Sequence, residues 1–239
     1  MLTRRLAVLA AALAVAASAA GASPAPATKA AKAAPAAKPA GPAILPEDMS
    51  MGSPTAKIQV IEYASLACPH CGHFNETIFP ALKAKYIDTG KVRYTLKEML
   101  TEPTTVAAAG FLMARCAGPA KYFAVVDQVF RSQPRWTSGN IKPIFQEIAA
   151  ANGVDEAHFN TCLQDQDGVD AIAQRAQRAS EVDHINSTPT LFINGQLIET
   201  PKSPEELDAA IAAATRPGPK AAGSKGSGAK KPAAKKGGH

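Results

Sequence analysis

The feature that most constrains this chain is a junction between two kinds of pattern. KIQVIEYA, from Lys57 to Ala64, is β-branched and partly alternating, so it reads as a strand. It gives way to Cys68-Pro69-His70-Cys71, at the mouth of a run in which Phe74, Ile78, Leu82 and Tyr86 recur every four residues and line one face of an amphipathic helix. Gly90 can end the connection, and VRYTL, Val92 to Leu96, reads as the next strand. Strand, helix and strand in this order form a βαβ unit, with two cysteines at its first turn.

Further along, the pattern becomes helical. Residues 100–167 hold short helical runs broken at Gly118-Pro119, Pro134 and Gly153, with Ile141, Ile144, Phe145 and Ile148 at the clearest helical spacing. Strand signals return at Thr190 to Ile193, followed by Asn194-Gly195 and QLI, which predicts a hairpin. Ser203, Pro204 and Glu206 form a capping box that opens a last helix. The order predicts an α/β fold, a mixed sheet over 44–99 and 168–215 interrupted by an α-helical insertion over 100–167.

The two ends differ in composition from this middle. Arg4 and Arg5, an apolar stretch from Leu6 to about Ala17, and Ala20-Gly21-Ala22 before Ser23 read as an export signal cleaved near Ala22. The apolar run is far short of the ~20 residues that span a bilayer. Residues 23–43 are almost wholly Ala, Pro and Lys and read as a semi-rigid spacer. Residues 216–239 hold seven basic residues and no acid, and read as a disordered basic tail.

These ends also decide what the charge means. The chain carries 26 basic and 20 acidic residues; five of the basic ones lie before residue 44 and seven after residue 215, whereas every acid lies between. The middle is therefore acidic on balance, and the basic pI is no argument for nucleic acid. The tail is expected to touch anionic envelope polymers or head groups weakly.

In an exported protein disulfides persist, so the cysteine pair can be several things. A zinc knuckle needs a second pair or two histidines at similar spacing, but Cys116 and Cys162 lie 46 residues apart, so no metal is expected. Haem attachment needs His directly after the second cysteine, where Gly72 stands. A structural bridge over so short a loop removes little unfolded-state entropy. Redox exchange fits better: Cys68 at a helix N-terminus meets unpaired N–H groups that favour its thiolate, and Cys71, one turn in, can resolve the mixed disulfide. His70 between them is a candidate for stabilising the Cys68 thiolate, while His73 reads as an exposed helix residue.

CPHC after a strand, Glu62 six residues before it and Thr188-Pro189 opening a later strand resemble the DsbA family of bacterial periplasmic thiol:disulfide oxidoreductases. RCAGPAKYFAVVDQVFRSQPRW and a cysteine in the helical part resemble the branch with a second disulfide. The resemblance covers about residues 44–215 and implies a thioredoxin-like sheet with a helical insertion and no cofactor. It implies a cis-Pro189, Thr188 offering backbone groups to a substrate strand, and Glu62 as a buried proton acceptor or relay. For Cys116 and Cys162, on apolar faces with Leu112, Phe159 and Leu163, it implies a structural disulfide; two separate buried thiols are the alternative.

The reading is a periplasmic enzyme that donates the Cys68–Cys71 disulfide to reduced exported polypeptides and is reoxidised by a membrane partner. An isomerase or reductase of the same fold is the nearest alternative. A non-catalytic metal or peptide carrier is a third.

Overall fold

The computed structural model describes residues 41–216. The expected export signal, most of the spacer and all of the basic tail beyond Arg216 lie outside the described residues. No helix among the described residues is long and apolar enough to cross a membrane.

The βαβ unit is formed by β2 (Ile58–Ala64), α1 (Pro69–Thr77), a short α2 (Phe79–Leu82) with a wide turn over Lys83–Ile87, and β3 (Val92–Glu98), with β2 and β3 parallel. The periodicity predicted one continuous helix, but the structure breaks it at Ile78. Pro80 has no N–H to give to the carbonyl one turn back, so the helix cannot run through it unchanged. The expected apolar face survives the break: Phe74, Ile78 and Leu82 are buried, and Tyr86 is half-buried.

β1 (Met49–Gly52) pairs antiparallel with the outer side of β3. The sequence reading missed it, since MSMG is four residues long, ends in glycine and holds no β-branched or aromatic residue. On the other side β2 pairs antiparallel with β4 (Thr190–Ile193), which joins β5 (Gln196–Ile198) in the predicted hairpin. The sheet order is β1-β3-β2-β4-β5. Asn194 and Gly195 take φ of 48° and 75°, the left-handed pair that a two-residue hairpin turn requires. The hairpin leads to α8 (Pro204–Thr215), capped as predicted by Ser203 Oγ accepting from the Glu206 N–H at 3.2 Å. The Glu206 carboxylate reaches back to the Lys202 N–H rather than to that of Ser203.

Between β3 and β4 run α3 (Thr104–Cys116), α4 (Tyr122–Ser132), a 3-10 turn (Gln133–Ser138), α5 (Lys142–Ala151), α6 (Glu156–Leu163) and α7 (Gln166–Glu181). The boundary expected after residue 167 falls inside the first turn of α7, which packs against both α3 and β3. α7 belongs to the insert at its start and to the sheet at its end.

Strand alternation divides the core. Val60 and Ala64 face the larger apolar cluster, which also contains Cys68, Cys71, Phe74, residues of α3 to α6, and α8. Ile61 and Tyr63 face a smaller cluster with Ala179 and Ile185. The insert is tied to the sheet through a buried charge: Glu98, at the end of β3, accepts from Arg115 Nε at 2.7 Å, Arg175 Nε at 2.6 Å and Tyr122 OH at 2.9 Å. Removing one partner from such a buried cluster typically costs about 3–5 kcal/mol.

Candidate active site

β2 ends at Ala64, and a tight turn carries the chain to Cys68, whose N–H donates to the Ser65 carbonyl at 3.0 Å. Cys68 takes an extended conformation as the residue capping α1, and Pro69 occupies the first helical position, where its missing N–H costs nothing. The sulfur of Cys68 therefore lies at the helix N-terminus, as the strand-to-helix junction predicts. Cys71, one turn on, is fully buried. Both cysteines are free thiols in this structure.

The two sulfurs have unequal surroundings. The Cys68 thiol is held down to about 5, chiefly by a hydrogen bond from the Cys71 thiol, with smaller support from Thr188 and from the N–H groups of Cys71 and His70; burial opposes this. Cys71 is pushed far up, first by burial and then by its bond to Cys68 and the nearby Glu62 carboxylate. One sulfur is disposed to ionise and its neighbour to keep its proton.

Thr188 and Pro189 come in from the start of β4. Their peptide bond is cis, and the neutral Cys68 thiol donates to the Thr188 carbonyl at 3.4 Å. A second cis bond, Glu102–Pro103, opens α3 and was not anticipated. His70 is exposed; its backbone N–H, not its ring, is the part that supports the Cys68 sulfur. His73 is exposed on α1.

Glu62 lies on the β2 face shared by Val60 and Ala64, toward the cluster that holds both cysteines. It is 2% exposed, and its Oε2 accepts from Tyr94 OH at 2.7 Å. Burial raises its carboxyl to about 7, against the lowering effect of the Tyr94 bond, and the Cys68 charge adds to the rise. Tyr94 escaped the sequence reading. The signal was available in the parallel register, where Val60 stands beside Tyr94 and Glu62 beside Leu96, so that alternation puts both side chains on one face.

Two further groups around the pair went unanticipated. Ser65 Oγ accepts from the Thr101 N–H at 3.1 Å and steadies the turn from behind. Gln133, from the insert, donates through Nε2 to the carbonyls of Leu66 and Cys68.

Cys116 on α3 and Cys162 on α6 form a disulfide. His158, four residues before Cys162 and exposed, lies near both sulfurs. The S–S bond removes both thiolates from any ligand set, so these three residues form no metal site in this state.

Residues 45–213 match the thioredoxin family. A Rickettsia bellii protein named for protein-disulfide oxidoreductase activity is 32% identical over 150 residues, covering 62% of this chain and 57% of its own. The chain thus spans just over half the length of the curated relatives it matches. The crystal structure of Wolbachia pipientis alpha-DsbA1 superposes with a TM-score of 0.64 at 30% identity, covering 71% of this chain and 92% of that one. Oxidised BdbD from Bacillus subtilis, at 19% identity, shares the fold with a TM-score of 0.61. The chain belongs to the thioredoxin family, in the DsbA-type branch with a helical insertion and a second disulfide within it.

Proposed function

We propose that this protein is an exported oxidase that donates the Cys68–Cys71 disulfide to reduced polypeptides. The observation that carries the reading is the inequality of the two sulfurs, Cys68 held down to about 5 while Cys71 is pushed well up. Stabilising the Cys68 thiolate stabilises the reduced state. A disulfide whose reduced form is stabilised is a strong oxidant, and Cys68 is the better leaving group when a second substrate thiolate releases it from the mixed disulfide.

In the forward direction a substrate thiolate attacks Cys68 Sγ, breaking the S–S bond and forming a mixed disulfide. The electron pair goes to Cys71, which takes up a proton. A second substrate thiolate then attacks the substrate sulfur of the mixed disulfide, and Cys68 leaves as thiolate. The substrate dithiol loses two electrons and two protons; the enzyme pair gains both electrons, Cys71 takes one proton, and the other goes to solvent because Cys68 stays ionised. Glu62, the carboxyl raised to about 7 by burial, is assigned the proton exchanged with Cys71. The Thr188 backbone, next to Pro189 and within reach of Cys68, is assigned to align an extended substrate segment. Reoxidation by a membrane partner closes the cycle, with the basic tail offering a weak hold on anionic envelope surfaces.

The test is the reduction potential of Cys68–Cys71, obtained by equilibration with glutathione mixtures and counting of free thiols by mass. A potential well above that of glutathione is the expected result. A potential near that of thioredoxin would sink the oxidase and favour a reductase or isomerase.

A further inference from the structure

Gln133 stands where α4 passes into the 3-10 turn, at the point where the helical insert meets the turn after β2. Its Nε2 donates to the carbonyl of Leu66 at 2.9 Å and to that of Cys68 at 3.1 Å. Both amide hydrogens are then used, which fixes the plane of the side-chain amide. The rest of that amide lies against Gly72. A Cβ built on Gly72 would overlap Gln133 Oε1 and come within 3.0 Å of its Cδ.

Nothing in the backbone asks for glycine at this position. Gly72 lies inside α1 and is not among the glycines with positive φ. Glycine within a helix is unfavourable relative to alanine, so helix propensity argues against the residue found. What explains it is the space taken by Gln133. The Gly72 N–H also donates to the Cys68 carbonyl at 3.1 Å, so residues 72 and 133 converge on one oxygen.

The insert holds Gln133 firmly. Ser132 Oγ donates to the Val129 carbonyl at 2.7 Å and accepts from Trp136 Nε1 at 2.9 Å. Trp136 in turn packs edge-on against Phe145 of α5, with ring centroids 5.9 Å apart.

We propose that Gln133 is a positioning residue for Cys68, carried by the insert, and that Gly72 is glycine to admit it. Two donors on the Cys68 carbonyl set the orientation of the Cys68–Pro69 peptide. That orientation directs the first N–H groups of α1 toward Cys68 Sγ. Gln133 touches no reacting atom and acts through the backbone of Cys68. The consequence for disulfide donation rests on the function proposed above, but the positioning itself does not.

The test is the titration of the Cys68 thiolate, followed by its ultraviolet absorbance, in the reduced full chain and in Gln133→Ala, Gln133→Glu, Gly72→Ala and the Gly72→Ala/Gln133→Ala double variant. Cys71 keeps its proton throughout, so one sulfur is read. Gln133→Ala and Gly72→Ala are each expected to lower the acid dissociation constant of Cys68 roughly threefold, and Gln133→Glu, which replaces the donor by a charge, about tenfold. The double variant should match the singles, because both remove the same contact. The glutathione equilibrium should move toward the oxidised form by the same factors.

Gly72→Ala separates positioning from mere stability. Propensity alone predicts a more stable helix and an unaltered thiol, whereas expulsion of Gln133 predicts a raised one. It also answers the question if Gln133→Ala does not fold. Parental titration in Gly72→Ala and Gln133→Glu, or full additivity in the double variant, would overturn the inference. Since the titration involves no exchange partner, a low reduction potential would defeat the proposed oxidase and leave this result standing, and the converse also holds.

Discussion

Cys68 and Cys71 are three positions apart in the chain and stand as free thiols at the start of α1, whereas Cys116 and Cys162, 46 positions apart, join two helices of the insert. The first pair sits in a gradient. One sulfur meets the helix N-terminus, the Cys71 thiol and Thr188, while the other is sealed in the core beside Glu62. The second pair bridges α3 and α6, with Phe159 buried one helical turn before Cys162. The contrast sets two uses of a cysteine pair side by side: inequality between two sulfurs suits exchange, and closure of a long loop suits stability. A short loop gains little from being closed, and a long one gains on the order of 4 kcal/mol in the chain-entropy view.

The sharpest way to break this contrast is at Cys68. Cys68→Ser should lower disulfide exchange with a reduced peptide by about a thousandfold or more, since a serine hydroxyl neither ionises nor forms the mixed disulfide. Its denaturant midpoint, read near pH 5 where the Cys68 thiolate contributes little, should stay close to that of the reduced parent. Retained exchange would move the nucleophile to another cysteine.

Opening the other pair should have the opposite signature. Replacing Cys116 and Cys162 together by Ser is expected to cost about 3–4 kcal/mol in urea unfolding while exchange persists. A variant as stable as the parent would show that the bridge does not restrain the unfolded chain.

The acid–base inequality has a pH signature of its own. The Cys68 thiol falls from 9.0 to about 5 on folding, so the reduced protein gains stability that is complete above pH 9 and lost as pH falls toward 5. The oxidised protein has no such thiol. The difference in melting temperature between the two forms, measured from pH 5 to 9, should therefore shift steadily in favour of the reduced form. A flat difference would remove the thiolate as its source.

Glu62 offers a smaller test with the reverse sign. Its carboxyl rises from 4.5 to about 7 on folding, so its contribution is whole below pH 4.5 and lost as pH rises through 7. Glu62→Gln should make the protein relatively more stable above pH 7 while slowing exchange about tenfold through loss of the proton acceptor. Tyr94→Phe, which removes only the hydroxyl at 2.7 Å from that carboxyl, should cost about 1 kcal/mol, read by urea unfolding at pH 8, and raise the Glu62 titration further.

Much of the sheet was legible because its signals are local. Alternation in β2, the Asn194-Gly195 turn and the Ser203 cap each depend on residues within a few positions of one another. The failures have physical causes as well. β1 is too short to show a period and is held by partners in β3, including Ser50 Oγ at 2.8 Å from Thr95 Oγ1. The break at Ile78 was masked by an apolar face that persists across it. The sequence marks His70 as a tuning imidazole, yet in the structure the Cys71 thiol, then Thr188, then the N–H groups of Cys71 and His70 support Cys68.

By itself the sequence determined where the cysteine pair sits, at the end of a strand and the start of a helix, and so the kind of chemistry open to it. It also determined the interrupted sheet, because periodicity and turn residues are properties of short stretches. Tertiary structure alone decided how far the two sulfurs differ, that Glu62 is sealed beneath them with Tyr94, and that Gln133 lies against Gly72. Those facts depend on burial and on hydrogen bonds between residues 32, 120 and 65 positions apart, from Glu62 to Tyr94, Cys68 to Thr188 and Cys68 to Gln133. No pattern within a single stretch encodes such meetings, since they exist only once the chain has closed on itself.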